Sequence, residues 1–399
     1  MSQDIRDFVT PSCDLLALGE PTHQEPAFGQ VRNELFAQLV DHGFRSIALE
    51  IDRVAALAVN DYVQGGAGSL DTVMRDGFSH GFGEQDANRQ LVSWMREYNE
   101  HRPSGQRLTF HGFDAPTETT SAPSPRCYLE HARDYLALDL DLTGLTGDDA
   151  RWSRAEAVLD ATMSPGATAE AERLRSIADD MLNSLYARAP ELIAATSRDE
   201  WFRARAHLTA GLGLLRYHKQ SAQPLTSSLR IAGLAATRDA LMAQNLLDIR
   251  GIEEDRGPTL VFAHNLHLQR NQSIWRLGDL GADWSGAGAI VASLLGERYV
   301  CVVGSLGRSK ALGLRDPDPD TYEGRLQRRL TTWGLEATPA TPTTPTAPTD
   351  ASTRAPAART RTDTHPRQGY FPLDQATLDV VDAVLHISDG TTAGSPAHT

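Results

Sequence analysis

The sequence predicts an α/β fold, a mostly parallel sheet with flanking helices and a large helical insertion. Three observations carry that prediction. Short apolar runs of strand length recur at 14–20, 46–50, 107–110, 259–263, 298–303 and 381–387; helical patterns separate the early ones; and the middle of the chain is helical in pattern alone.

Asp14-Leu-Leu-Ala-Leu-Gly-Glu20 reads as a buried strand that stops at Glu20, because Pro21-Thr22 favours a turn. Phe28, Val31, Leu35, Phe36, Leu39 and Val40 then repeat at helical spacing, with Gly43 placed to end the helix. Ser46-Ile-Ala-Leu-Glu50 is a second short strand, so the opening is a strand, helix, strand unit of the kind that pairs in parallel. Helical patterns follow at 53–64 and 85–101, and Arg107-Leu-Thr-Phe110 leads as a third strand into His111-Gly-Phe-Asp114. Long Ala- and Leu-rich helical segments then take over, among them 198–218 and 227–250. Strands return at Thr259-Leu-Val-Phe-Ala263, at 298–303 and at 381–387.

These elements divide the chain into five parts. Residues 1–120 are the first part of the α/β core, 121–252 the helical insertion, and 253–335 the second part of the core. Residues 336–368 form a Thr/Pro/Ala-rich tract expected to be a flexible loop, since it cannot bury enough apolar surface to order itself, and 369–399 hold the closing strand and a C-terminal tail.

Composition narrows the function classes. A formal charge of −14 disfavours nucleic acid or an anionic membrane as partner, either of which needs a basic face. Three cysteines, Cys13, Cys127 and Cys301, are too few and too scattered for a disulfide framework or a Cys-rich zinc site, and no apolar run is long enough to span a bilayer. The start shows no basic segment followed by an apolar one. The expectation is a soluble cytoplasmic protein; oligomeric state is left open.

In open parallel sheets functional groups collect beyond the carboxyl ends of the strands. Glu20 and His23 follow the first strand, Glu50 ends the second, His111 and Asp114 follow the third, and His264 and His267 follow the fourth. A lone histidine at a strand end is usually structural, but four separate segments here deliver His or carboxylate groups to one edge. Ionised carboxylates are costly there without partners, and a histidine beside a glutamate supplies both a partner and a tuned base.

Gly19-Glu20-Pro21-Thr22-His23, with Glu25, a helix carrying Arg32, Gly43-Phe44 and a strand closing on Glu50, resembles the opening signature of the erythromycin esterase family. Phe110-His-Gly-Phe-Asp114, Arg238-Asp-x-x-Met242-x-x-Asn245, Ala263-His-Asn-Leu-His267 and the closing segment 371–393 resemble its later motifs. The resemblance implies hydrolysis of a macrolide-type lactone or related ester without a covalent enzyme intermediate and without a cofactor. It implies His23 as catalytic base, Glu20 and Glu50 as acidic site residues, and His264 and His267 as paired histidines across the cleft. Arg32 and Arg238 become substrate contacts, and His111 and Asp114 supports that orient the reacting groups. Gln24 stands where many relatives carry glycine, which narrows the space beside the base.

Other readings stand beside this one. Val303-Gly-Ser-Leu-Gly307 approaches a nucleophile elbow but lacks its first glycine, and otherwise reads as a loop after a strand. His264-x-x-His267 with His23 and a glutamate could hold a divalent metal of hydrolytic type. The same scaffold could serve a natural-product tailoring enzyme performing elimination, cyclisation or ring opening, or a non-catalytic small-molecule binder.

Overall fold

The computed structural model describes residues 3–118, 120–338, 358–364 and 368–391. Its centre is a seven-stranded sheet built from β1 (Leu15–Glu20), β2 (Ser46–Asp52), β3 (Thr109–Asp114), β4 (Thr259–His264), β7 (Tyr299–Arg308), β8 (Trp333–Ala337) and β9 (Ala383–Asp389). The strand order is β3-β2-β4-β1-β7-β9-β8, and β5 (Ser273–Leu277) and β6 (Leu280–Trp284) form a separate antiparallel hairpin. All pairings in the large sheet are parallel except that of the edge strand β8 with β9. The mostly parallel sheet read from the sequence is therefore the fold.

Side chains alternate across this sheet, as strand geometry requires. Leu16, Leu18, Ile47, Leu49, Leu260 and Phe262 join one apolar core, where the helices Ala27–Val40, Ala55–Val63 and Asp86–Glu100 bury Phe28, Phe36, Val59 and Met95. Leu15, Ala17, Ala48, Val261 and Ala263 face a second core, covered by Met242, Leu246 and Ile249 of helix Ser227–Glu253 and by Val291 of helix Ala287–Leu295. Gly43, at φ +92°, makes the left-handed turn that brings the chain from the first helix into β2.

Between Asp114 and Thr259 every element among the described residues is helical, and Leu129, Leu174, Met181, Leu208 and Leu215 form a core of their own. The long members are well started. Ser197 caps helix Arg198–Ser221 through the Glu200 N–H, Thr168 caps helix Ala169–Ala187 through the Ala171 N–H, and acidic side chains occupy both first turns. Helix Ser227–Glu253 is shared: it closes the insertion and lies on the sheet.

Three sequence expectations change. The segment Val303–Gly307 is the interior of β7 rather than a loop, with Ser305 buried and bonded to His386 Nδ1 at 3.0 Å. The short β8 and the β5–β6 hairpin are additional strands. Finally, the two ends of the tract at 336–368 are packed. Glu336 and Ala337 belong to β8, and Arg361, 2 % exposed, donates to the carbonyls of Leu306, Gly307 and Arg315 at 2.7–3.1 Å. The rest of that flexible-loop expectation, at 339–357 and 365–367, and the tail at 392–399 lie outside the described residues.

Candidate active site

The carboxyl ends of β1, β2, β3 and β4 bring Glu20, His23, Glu50, Asp114, His264 and His267 to one edge of the sheet. β1 hands the chain to a turn at Pro21, which folds His23 back so that its Nδ1 lies 2.8 Å from Glu20 Oε1. β2 and β3 slip register between Leu49 and Asp52, so Glu50 sits at an irregularity of the kind that re-aims side chains. β4 ends on His264, directly opposite Glu20, and the following turn of helix, Asn265–Leu268, carries His267.

Glu50 is the hub. Its Oε1 lies 3.3 Å from His267 Nε2, 3.2 Å from Arg238 Nη2 and 3.7 Å from His23 Nε2, while its Oε2 accepts the backbone N–H of His264 at 2.8 Å. Burial opposes ionisation of this carboxyl, but the charges of His267, His23 and Arg238 outweigh it and hold Glu50 well below the usual carboxylate range.

His267 is clamped on its other side by Asp239, with Nδ1 2.8 Å from Oδ1. Asp239 is fully buried and also accepts Trp284 Nε1–H at 2.7 Å and Ala287 N–H at 2.8 Å. Burial disfavours the imidazolium, yet Asp239 and Glu50 together raise His267 to about 10, so the ring is a cation at neutral pH.

His264 is the opposite case. Its Nε2–H donates to Pro21 O at 3.1 Å and its Nδ1 accepts the Leu266 N–H at 3.2 Å. Burial and the neighbouring charge of His23 push it down to about 3, so it stays neutral, with both nitrogens engaged by backbone. Its ring is wedged between His23 and Phe371, at centroid distances of 5.2 and 5.0 Å.

His23 differs from its neighbours in access. Its side chain is 33 % exposed, against 10 % for Glu20 and 4 % for Glu50. Burial opposes its charge, but Glu50 and Glu20 outweigh this and raise it above the usual imidazole range. Phe82 packs against the ring at 5.0 Å.

Of the remaining sequence candidates, Arg238 and Asp114 belong to the cluster. Arg238 Nε donates to Asp114 Oδ1 at 2.9 Å, so the buried Asp114 holds the guanidinium that touches Glu50. Arg32 lies behind the site. It is 1 % exposed, donates to Asn88 Oδ1 and Asn33 Oδ1, and covers the Phe262 ring at 4.9 Å. His111 is elsewhere: its Nε2 pairs with Glu253 Oε1 at 2.7 Å, because its place in β3 is three residues short of the strand end. The expected orienting role therefore has a contact to act through at Asp114 and none at His111.

Three contributors were not legible. Asp239 reads in sequence as half of an interhelical ion pair, although its place in the Arg238-Asp-x-x-Met242 motif was a signal. Trp284 arrives on the unforeseen hairpin. His80 bridges Asp114 Oδ2 and Glu118 Oε2 at 2.9 and 2.8 Å from a left-handed backbone, φ +58°, a conformation that a non-glycine residue keeps only under strong tertiary constraint. Among the described residues no group of three or more His, Cys, Asp or Glu is arranged to hold a metal ion, and the three free cysteines take no part.

Fold and site thus define a three-layer α/β protein with a solvent-reachable histidine set against a buried, ionised glutamate. The chain belongs to the erythromycin esterase family, whose model matches residues 39–390. Glu20 and His23 precede the matched span, and the fold brings them against the matched Glu50.

Solved structures share the fold. A protein from Bacillus cereus has a TM-score of 0.68 at 17 % identity, covering 96 % of this chain and 90 % of its own. A succinoglycan biosynthesis protein gives 0.65 at 16 %, covering 95 % and 88 %. A histidine-to-asparagine variant of the erythromycin esterase EreC, in its open conformation, gives 0.62 at 20 %, covering 95 % and 91 %. No curated protein matches. Among the described residues no helix is long and apolar enough to cross a membrane.

Proposed function

We propose that the protein hydrolyses a small-molecule carboxylic ester, of the macrolide-lactone class, by general-base activation of water at His23. The observation that carries this reading is the setting of His23, whose Nδ1 is fixed by Glu20, whose Nε2 faces the ionised Glu50 and whose side chain is 33 % exposed. Glu20 accepts the Nδ1–H, which leaves the Nε2 lone pair to take a proton from water as the oxygen attacks the ester carbon. The carboxylates then stabilise the imidazolium that forms. Collapse of the tetrahedral intermediate breaks the carbon–oxygen bond, and His23 returns its proton to the leaving alkoxide.

The oxyanion needs a donor set in place beforehand. His264 is taken up by backbone, Arg32 by Asn33 and Asn88, and both nitrogens of His267 by Asp239 and Glu50, so the cation at hand is Arg238, with 24 % of its side chain exposed. It is held by the buried Asp114 and Glu50 and would act without reorganising.

The test is incubation of wild type and His23→Ala with a panel of macrolide lactones and simple esters, with and without chelator, followed by mass spectrometry. The expected result is addition of one water to a substrate, reduced about 10²- to 10⁴-fold in His23→Ala and indifferent to chelator. Chelator-sensitive turnover would move the histidines to a metal-binding role. A product that has lost water, or is isomeric with its substrate, would point to a tailoring reaction. No turnover of any ester by folded wild type would overturn the proposal.

A further inference from the structure

A cavity of about 190 Å³ lies between the loops that follow β2 and β3 and three helices of the insertion. Of the residues gathered at the catalytic edge only Asp114 lines it, and that carboxylate is already matched by Arg238 and His80. Its remaining charges do not balance. Arg53 and Arg205 both reach the one carboxylate of Asp248, Arg53 Nη2 at 2.6 Å from Oδ2 and Arg205 through Oδ1.

Arg53 has 8 % of its side chain exposed, and its Nε has no hydrogen-bond partner. An unpaired donor on a buried cation is costly, and such groups call for an explanation. Burial and the charge of Arg205 lower Arg53 to about 9. Arg205 cannot turn away easily, since its guanidinium is stacked on Trp201 and Phe202 at 5.2 and 4.8 Å. Tyr186, 54 % exposed, stands in the wall on the solvent side.

We propose that this cavity is a binding site for a small oxyanion, a carboxylate or phosphate carried on a short stem, received by Arg53 and Arg205. An oxyanion there would pair with the two guanidinium groups and neutralise the excess positive charge. Guanidinium groups favour such ligands because their N–H donors match the oxygens in spacing. A cavity of about 190 Å³ accommodates a short acid or a phosphate monoester. The proposal rests on Arg53 and Arg205 and does not depend on the hydrolase reading.

The experiment is calorimetric titration of the full chain with inorganic phosphate and, separately, with succinate, at fixed ionic strength. It compares wild type with Arg53→Gln, which removes the donor, and Ala210→Phe, which fills the cavity from helix Arg198–Ser221. Circular dichroism checks that each is folded, and Ala210→Phe decides if Arg53→Gln is not. Saturable binding of either anion to wild type, weakened about tenfold or more in the variants, is expected, because Arg53→Gln loses a charge-assisted hydrogen bond and Ala210→Phe occupies the space. Binding of phosphate alone identifies a phosphate ligand, and of succinate alone a carboxylate. No saturable heat with either anion, or equal binding by wild type and folded variants, would overturn the proposal.

Discussion

Replacing Asp239 by asparagine removes one of the two carboxylates that keep His267 charged. In the folded protein His267 is raised from 6.5 to about 10, so folding keeps a proton that the unfolded chain has released above pH 6.5. A raised value contributes stability that is fully present below 6.5 and is lost as pH rises through about 10. At about 1.4 kcal/mol per pH unit the whole window is worth on the order of 5 kcal/mol. Asp239→Asn should therefore lower stability near pH 6.5 by about 3–5 kcal/mol, the usual consequence of breaking a buried ion pair, and should flatten the decline between pH 6.5 and 10 relative to wild type. Urea unfolding followed by tryptophan fluorescence at a series of pH values measures both quantities. Groups that titrate in the same window are common to the two proteins and cancel in the difference. Parallel declines for wild type and variant would refute the account of His267 as a cation held by Asp239.

Further tests address other parts of the molecule. Because Glu50 and Glu20 raise His23, its base form should be available only above the ordinary imidazole range. The acid limb of kcat/KM should accordingly lie above pH 6.5 and move down in Glu20→Gln; an unmoved limb would separate Glu20 from the base. Gly19→Ala would place a methyl group 2.2 Å from Asn265 Oδ1, where Asn265 bridges to the Gly304 N–H and carbonyl. A loss of about 1–3 kcal/mol in thermal unfolding is expected from such overpacking, and an unchanged melting temperature would contradict it. His111→Ala should lower stability by about 1–3 kcal/mol through the buried Glu253 that it leaves half-paired, with esterase activity unchanged; a matching drop in activity would tie His111 to the site after all.

Much of this architecture can be read along the chain because parallel strands buried on both faces are nearly uninterrupted apolar runs. The starts of β2 and β4 agree to the residue with the runs at 46–50 and 259–263. β7 extends five residues past its run because Gly304 and Gly307, which suggest a loop, are required by close approach: a Cβ on Gly304 would lie 2.5 Å from Gly19 O. β8 is only five residues long and leads into the Thr/Pro-rich tract, so local composition hides it. At the site, the rule of strand carboxyl ends collects Glu20, His23, Glu50, Asp114, His264 and His267. It has no means of distinguishing a histidine whose nitrogens are taken up by backbone, His264, from one exposed beside a glutamate, His23. Asp239 and His80 escape it because neither lies on a strand, and their partners come from 28 and 34 residues away in the chain.

Helix Ser227–Glu253 joins two jobs that many enzymes assign to different elements. Its buried face completes the core behind the sheet, and its Arg238 and Asp239 grip Glu50 and His267. The helix is thus anchored to the reactive edge by charges that have nowhere else to go, since pulling it away would strand a carboxylate and an imidazolium in an apolar interior. Any rearrangement of the insertion that keeps this anchor lies ahead of Ser227, among the helices packed around Leu174 and Leu208. The insertion can change its shape, or over generations its sequence, against a fixed electrostatic floor.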